Sequence, residues 1–318
     1  MPTPSKIVVI VGPTAVGKSD TAMALAETFR GELVNADAAA FYRGLDIGSA
    51  KPGPEARRAV PHHLLDIANP DEVITTADFQ SRAYGVIDDI LTRGRLPIVV
   101  GGSGLYVRTI VEGFVFPPHD ESGECRRRLE GRSHVEGAAA LYAELQRIDP
   151  AIARKVDPRN VRRVIRALEV FEISGQPMSR FHGIKLARYE SCIVGLTRPR
   201  AELYQRIELR VESMLRGGLV DEVRGLVSRW DPAACPALTA IGYKELIPYV
   251  LGQGDLGEAA AHIVRATKKL SRSQEGSWFK RTDPGIVWFE VGGIDALAGI
   301  RDAVSLFLQE PPAAVPAS

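Results

Sequence analysis

The chain has 318 residues, of which 45% are hydrophobic and 25% charged, and its formal net charge is +1. These values are typical of a globular protein with one large domain or two modest ones, and they exclude a uniformly basic surface but not local basic clusters. The three cysteines have neither zinc-ligand nor disulfide-framework spacing, and no apolar run is long enough for a membrane span. We therefore expect a cytoplasmic protein.

A short apolar strand followed by a glycine-rich loop opens the predicted structure. Residues 7–11 indicate a buried strand, and the apolar residues of 21–29 have helical spacing. Between them, the pattern G-x-x-x-x-G-K-[ST] is matched at every fixed position by Gly12, Pro13, Thr14, Ala15, Val16, Gly17, Lys18 and Ser19. We expect this phosphate loop to bind a diphosphate or polyphosphate, with Lys18 on the outer phosphate and Ser19 on Mg²⁺.

Two further strands are predicted to end at the same edge of the sheet. Residues 32–36 indicate a strand that ends on Asp37, and residues 96–100 indicate one that leads into a glycine-rich turn around Ser103. Open α/β sheets bind ligands at the carboxyl ends of their strands. Asp37 has two equally weighted interpretations, a catalytic group at this edge or the N-cap of a short helix. A turn like that around Ser103 is locally more often structural, but three loops at one edge favour a single site.

A polar, proline-rich stretch at residues 117–123 marks a change of character, and helical patterns follow over 138–148 and 159–173. Asp157 and Pro158 are expected to start the second of these helices. One side of that helix carries Arg159, Arg162, Arg163 and Arg166. This basic face fits solvated surface and contact with a phosphate backbone equally well. A return strand at 191–196 predicts that residues 116–190 are a helical insertion into a core formed by 1–115 and 191–310.

The last third of the chain contains helices, a basic segment and a final strand. Helices are predicted at 201–214 and from Ala240 to Leu246. Residues 262–281 are basic and include Trp278 and Phe279, which suits nucleic-acid binding, although these aromatic residues could equally anchor the core. A strand is predicted at 286–291, and residues 311–318 are predicted to form a disordered tail.

In their order along the chain, the motifs resemble those of the tRNA dimethylallyltransferase family in its short bacterial form, over roughly residues 5–300. The matching segments are the phosphate loop, Asp37 with residues 41–52, residues 61–66, 101–106, 157–163, 166–170 and 241–245. The resemblance implies a P-loop NTPase-like parallel sheet flanked by helices, with an inserted helical domain that grips the anticodon stem of tRNA.

The resemblance also implies a reaction. The family transfers a dimethylallyl group from dimethylallyl diphosphate to N6 of the adenosine 3′-adjacent to the anticodon, in tRNAs that read codons beginning with U. Pyrophosphate leaves, Mg²⁺ assists, and the target base must leave its stack. The alternatives are an adenylate isopentenyltransferase acting on free AMP or ATP, a P-loop small-molecule kinase, and a non-catalytic tRNA-binding relative. We expect a monomer.

By the same resemblance, Asp37 is the general base, the Ser103 hydroxyl contacts the bridging oxygen of the diphosphate, and Lys18 and Arg210 stabilise the leaving pyrophosphate. Contacts with tRNA are implied for Asp37, Ala38, Ala39, Ala40, Ser103, Arg126, Arg159, Arg162, Arg163, Arg166, Gly242, Tyr243, Lys244 and Arg272.

The sequence departs from the family in two places. The alanines after Asp37 stand where the family usually has serine and often glutamine, which puts the affinity or the rate in question. Residues 271–278 are one residue longer and one basic residue poorer than in the family, which puts the tRNA contact there in question.

Overall fold

A parallel sheet lies at the centre of the structure, a computed structural model that describes residues 5–118, 120, 122–181, 183–293 and 295–309. Within these residues the sheet has six strands, in the spatial order β3-β2-β4-β1-β5-β6. The strands are Lys6–Val11 (β1), Gly31–Asn35 (β2), His62–His63 (β3), Leu96–Val100 (β4), Glu190–Thr197 (β5) and Ile286–Glu290 (β6). Every neighbouring pair is parallel, so the predicted α/β class is confirmed.

Helices connect the strands. In the first part of the chain they are Lys18–Phe29 (α1), Pro54–Ala59 (α2), Thr76–Thr92 (α3) and Gly104–Arg108 (α4). Between β4 and β5 follow Glu124–Glu136 (α5), Ala138–Ile148 (α6), Pro150–Ala153 (α7) and Val161–Ser174 (α8). The last part contains Arg200–Arg216 (α9), Leu219–Val227 (α10), Ile247–Val250 (α11), Leu256–Ser273 (α12) and Ala296–Gln309 (α13). No helix in the described part of the chain combines the length and apolarity that crossing a membrane requires.

The side chains of successive residues in β1 pack into apolar clusters on opposite faces of the sheet. Ile7, Val9 and Val11 belong to the apolar cluster on one face of the sheet, whereas Val8 and Ile10 belong to the cluster on the other face. Strand side chains alternate between faces, so a continuous apolar run is what a strand covered on both sides requires. The central strand therefore holds the loop that follows it on a rigid base.

The chain forms two compact units, a core unit of residues 5–111 and 188–309, and a helical unit of residues 112–187, with the residues outside the description excepted. The sequence predicted an insertion over 116–190. The helical unit has its own apolar core, which includes Leu129 of α5, Leu145 of α6 and Leu168 of α8. The predicted disordered tail, residues 311–318, lies outside the described residues.

Two predicted helix positions are corrected by the structure. Helix α8 begins three residues later than Asp157 and Pro158 suggested, because Asn160 is its N-cap and accepts a hydrogen bond from the Arg163 N–H at 3.2 Å. Residues 241–246 form turns after a bend at Ala240, and helix α11 begins only at Ile247. Gly242 has φ +99° there, a left-handed conformation that interrupts a helix.

Candidate active site

A cleft of about 320 Å³ lies in the core unit at the carboxyl edge of the sheet. The phosphate loop contributes Lys18 and Ser19, and the segment after β2 contributes Asp37. The turn after β4 contributes Gly102, and α9 contributes Arg210. The three loops that the sequence placed at one edge thus converge with a helix from the last third of the chain.

The phosphate loop is held close to β5 and α9. Gly12 has φ +140°, and a Cβ there would lie 2.5 Å from the Leu196 carbonyl oxygen, so only glycine fits. Ala15 also has a positive φ, +65°, which costs about 1 kcal/mol for a residue with a side chain. Its carbonyl oxygen accepts a hydrogen bond from Arg206 Nε at 2.9 Å. Helix α9 therefore supports this strained turn.

The Lys18 ammonium is folded onto its own loop. Its Nζ donates to the carbonyl oxygens of Gly12 at 3.0 Å and Pro13 at 2.8 Å. Loss of hydration on burial lowers the pKa of Lys18 to about 8, with Asp37 opposing this shift and Arg210 adding to it. An ammonium has three donors, so one N–H is left for a ligand in the cleft.

Arg210 adds a second cation on the α9 side of the cleft. Its guanidinium makes a long hydrogen bond of 3.5 Å to Thr14 Oγ1. Burial lowers the pKa of Arg210, and the neighbouring Arg206 lowers it further. Because these cations lie against the loop amides and the N-terminus of α1, the cleft is suited to a multiply charged anion.

Both interpretations of Asp37 are compatible with its position. Its Oδ1 accepts from the Ala39 N–H at 3.1 Å and caps the short 3₁₀ helix Ala38–Phe41. The side chain is exposed and lines the cleft, so the second carboxylate oxygen is available for a proton. Asn35, which the sequence analysis did not single out, holds the Asp37 backbone: its side chain accepts from the Asp37 N–H at 3.1 Å and donates to the Asp37 carbonyl at 3.0 Å.

Ser103 lies at the N-cap of α4, one residue beyond the part of this turn that lines the cleft. Its hydroxyl does not cap the helix. The turn is tied to the segment that follows β2, since the Ser103 N–H donates to the Ala36 carbonyl at 3.4 Å.

A second residue that the sequence analysis missed is Glu222 on α10. Its carboxylate accepts hydrogen bonds from the backbone N–H groups of Asp46, Ile47 and Gly48 at 3.0, 2.8 and 3.2 Å. The Tyr243 hydroxyl donates to it at 2.7 Å. Tyr243 has no exposed surface, so its ring supports the loop from inside the core, and the tRNA contact that the resemblance implies for this residue stays a prediction.

The loop supported in this way borders two cavities. Ala50, Lys51 and Pro52 line both the 320 Å³ cleft and a neighbouring cavity of about 1230 Å³, and Arg210 is also shared. Of the other residues predicted to contact tRNA here, Gly242 is buried, whereas Lys244 and Arg272 are exposed. Arg272 donates to the Tyr204 hydroxyl at 3.0 Å.

The basic residues of the helical unit divide into paired and unpaired groups. Arg126 and Arg166 both bind Glu169, at 2.7 and 3.1 Å, and this carboxylate is 2% exposed. Outside this pairing, Arg159 binds Asp157 at 2.9 Å. Arg162 and Arg163 are exposed and form no ion pair with another described residue. Of the four arginines predicted on this face, Arg162 and Arg163 are the most available to an external phosphate.

A phosphate loop after the central strand of a parallel sheet, with cations and a carboxylate facing one cleft, defines an α/β protein of the P-loop class with an anion-binding site. Comparison with known sequences gives the family. Residues 40–282 match the family described as IPP transferase, and the chain belongs to it.

The relatives are tRNA-modifying transferases. The chain is 44% identical to the tRNA dimethylallyltransferase of Thermomicrobium roseum, over 89% of this chain and 88% of that one. It is 41% identical to that of Heliobacterium modesticaldum, over 93% and 94%. The predicted family and transferase class are confirmed, and the kinase and free-nucleotide alternatives are not favoured.

Solved structures give the same result. The tRNA isopentenylpyrophosphate transferase of Bacillus halodurans is similar with a TM-score of 0.71 and 39% identity, covering 96% of this chain and 98% of that one. A eukaryotic dimethylallyltransferase acting on tRNA is similar with a TM-score of 0.84 and 26% identity, covering 99% and 82%. The P-loop NTPase-like fold predicted from the resemblance is thereby confirmed.

Proposed function

We propose that the protein transfers the dimethylallyl group of dimethylallyl diphosphate to N6 of the adenosine 3′-adjacent to the anticodon, in tRNAs reading codons that begin with U. The observation that carries this proposal is the cleft in which Lys18 and Arg210 face Asp37, in a chain of this family. The N6 amine forms a bond to the allylic carbon, the carbon–oxygen bond to the diphosphate breaks, and pyrophosphate leaves. The amine proton goes to a base.

Catalysis then consists of positioning and of stabilising the leaving group. The phosphate loop binds pyrophosphate without any phosphoryl transfer. Lys18 exchanges its contacts with the loop carbonyls for phosphate oxygens, and Arg210 neutralises charge from the α9 side of the cleft. The Ser103 hydroxyl donates to the bridging oxygen, which gains negative charge as the bond breaks.

Asp37 is the general base of this proposal. Its cap hydrogen bond uses Oδ1 and fixes the carboxylate, while Asn35 fixes the backbone that carries it. A base that is still stacked in the anticodon loop cannot reach this carboxylate, so the adenosine must flip out. The cavity of about 1230 Å³ that shares Arg210 with the cleft offers room for the flipped nucleoside.

The residues of the cleft fit a magnesium ion held mainly by substrate. The described residues contain no group of three or more His, Cys, Asp or Glu side chains that could hold a metal without other ligands. Ser19 supplies a hydroxyl oxygen at the start of α1, and Mg²⁺ commonly takes one or two protein oxygens together with phosphate oxygens and water. When bound, Mg²⁺ neutralises charge on the leaving pyrophosphate. Ser19 would hold it beside the phosphate loop.

We place the main tRNA contact of α8 on Arg162 and Arg163, because, unlike Arg159 and Arg166, neither is neutralised by an acid among the described residues. Such contacts with the RNA backbone position the anticodon stem without reading its sequence. A monomer acting in the cytoplasm, where tRNA is modified, completes the proposal, and light scattering of the purified protein measures the oligomeric state.

The test is incorporation of labelled dimethylallyl diphosphate, with Mg²⁺, into unmodified tRNA and, in parallel, into AMP. We expect label in tRNA, at the adenosine next to the anticodon, and none when Mg²⁺ is chelated. Label in AMP alone would transfer the protein to the free-nucleotide class. Binding of tRNA without label in either acceptor would refute the catalytic proposal.

A further inference from the structure

A buried glutamine connects two of the loops that form the cleft. Gln274 is 3% exposed and follows the last residue of α12. Its side-chain oxygen accepts from the Thr14 N–H at 2.8 Å, and its side-chain nitrogen donates to the Gly102 carbonyl at 2.9 Å. Both hydrogen bonds join residues far apart in sequence. A buried amide with donor and acceptor both satisfied holds its neighbours more firmly than apolar packing does.

The first hydrogen bond fixes a peptide plane on which Lys18 also depends. No described peptide bond is cis, and in a trans peptide the N–H and the C=O point in opposite directions. The Thr14 N–H and the Pro13 carbonyl belong to one such plane. Gln274 holds the N–H, while the carbonyl on the other side accepts from Lys18 Nζ at 2.8 Å. Rotation of this plane would move the carbonyl away from the ammonium.

The second hydrogen bond, from Gln274 Nε2 to the Gly102 carbonyl, places the turn after β4 next to the phosphate loop. A Cβ on Gly102 would overlap Gln274 Nε2 and lie 3.8 Å from Lys18 Nζ, so the three residues are in close proximity. Ser103 is the next residue of that turn. One side chain therefore sets the distance between the phosphate loop and the segment that carries the Ser103 hydroxyl.

A π-turn in the backbone immediately after α12 places Gln274 between the two loops. Residues Gln274–Trp278 form a π-turn, closed by a hydrogen bond of 2.9 Å from the Phe279 N–H to the Gln274 carbonyl. At the other end of the turn, Trp278 lies so close to Gly104 that a Cβ on the glycine would overlap the indole. A π-turn accommodates one residue more than an α-turn and is frequent at functional sites. The turn lies in the segment that the resemblance predicts to be one residue longer than in the family.

We propose that Gln274 is a positioning residue that sets the phosphate loop, through the Thr14 N–H, and the Ser103 turn, through the Gly102 carbonyl, in the geometry that binds the diphosphate. This inference rests on the proposed function. Gln274 does not line the cleft, so it acts through Lys18 and Ser103 rather than on the substrate. A glutamate at this position keeps an oxygen that can accept from the Thr14 N–H but has no N–H for the Gly102 carbonyl. A methionine of similar length can form neither hydrogen bond.

The test compares the wild type with Gln274→Met and Gln274→Glu. Calorimetry measures binding of inorganic pyrophosphate with Mg²⁺, steady-state kinetics measures KM for dimethylallyl diphosphate, and filter binding measures the affinity for tRNA. We expect pyrophosphate affinity to fall, and KM for the diphosphate to rise, about tenfold in Gln274→Met. Affinity for tRNA should stay within about twofold, because the RNA phosphates are bound elsewhere. Gln253→Met is the matched control, since Gln253 is exposed and its side chain binds no other described residue.

A purely structural role would lower the melting temperature and leave the pyrophosphate affinity of the folded variants within twofold of the wild type, which would overturn the inference. Amide hydrogen exchange of the unmutated protein gives a result even if neither variant folds. A protected Thr14 N–H is expected, and exchange as fast as in an exposed loop would refute the hydrogen bond.

The outcome is separable from that of the proposed function. A wild-type protein that binds pyrophosphate but does not prenylate tRNA refutes the function and leaves the effect of Gln274 on pyrophosphate binding measurable. A wild-type protein that prenylates tRNA, with variants that bind pyrophosphate equally well, refutes only the positioning role. A wild-type protein that does not bind pyrophosphate refutes both.

Discussion

Removal of the Glu222 carboxylate should release the loop that borders the cleft. This carboxylate accepts three backbone N–H groups, from Asp46, Ile47 and Gly48, and the hydroxyl of Tyr243. A hydrogen bond to a charged group contributes about 1.5 to 3 kcal/mol. Because part of this loop is exposed and water replaces some of the lost bonds, we expect Glu222→Ala to lower the free energy of unfolding by about 3 to 5 kcal/mol.

Tyr243→Phe separates the phenolic hydrogen bond from the packing of the ring. A Cβ on Gly48 would lie 2.6 Å from the Tyr243 ring, so the ring fills its site and Phe retains that packing. The variant should lose only about 1 to 2 kcal/mol. Glu212→Ala on α9 is the control, because among the described residues the Glu212 carboxylate makes only an exposed ion pair of 3.5 Å with Arg216. This substitution should change stability by less than about 1 kcal/mol.

Urea unfolding followed by far-ultraviolet circular dichroism measures these differences, with a constant m-value as evidence that the same transition is compared. KM for dimethylallyl diphosphate should rise in Glu222→Ala, because Ala50 to Pro52 line the cleft. A Glu222→Ala variant within about 1 kcal/mol of the wild type would refute the reasoning, as would a Tyr243→Phe variant equally destabilised.

Three further predictions concern the proton acceptor, the RNA contact and the response to acid. Asp37→Asn retains an oxygen for the cap and should lower turnover at least about a hundredfold with tRNA still bound, whereas near-normal turnover would remove Asp37 as the base. Replacing Arg162 and Arg163 by alanine should reduce the slope of log affinity for tRNA against log salt by about 1 to 2, whereas the exposed Arg147→Ala control should leave it unchanged. An unchanged slope in the double variant would show that these two arginines do not contact the RNA phosphates. Glu32 on β2 is buried and forms an ion pair with Arg93, whose hydrogen bond lowers the pKa of the Glu32 carboxyl. The contribution of this pair to stability is therefore complete above the unfolded pKa of 4.5 and is lost as pH falls through the folded value. Glu32→Gln should therefore weaken the loss of stability at low pH that urea unfolding measures. If the variant loses stability as steeply as the wild type, other groups cause the acid sensitivity.

Patterns of neighbouring residues predicted the elements whose geometry depends on neighbouring residues. The apolar run of β1 and the glycine pattern after it predicted a strand and a phosphate loop, because both depend on neighbouring residues alone. Gln274 and Glu222 could not be found in this way. Gln274 binds a residue 260 positions away, and Glu222 binds a loop 174 to 176 positions away, so only the folded chain brings them to their partners.

The same limit applies to the residues predicted to contact RNA. Tyr243 lies in a motif that the resemblance linked to tRNA, but its ring is inside the core because Glu222 and Gly48 lie against it. The basic face of α8 looked uniform in sequence, since Glu169 is the next acid along the helix. In the structure that one carboxylate binds Arg126 and Arg166, so the charge available to RNA is smaller than the count of arginines suggests.

The alanines after Asp37 depart from the family without disturbing the geometry that the site needs. The cap of the 3₁₀ helix uses the backbone N–H of Ala39, which any residue except proline supplies. Ala40 has little exposed surface and lines the cleft, so a side chain at this position faces the ligand. The alanine run therefore removes polar side chains near the proposed adenine site but leaves the carboxylate of Asp37 held in place. In the proposed reaction, recognition of the adenine would then depend on the backbone and on the RNA contacts, whereas the chemistry would depend on Asp37 and on the two cations that face it.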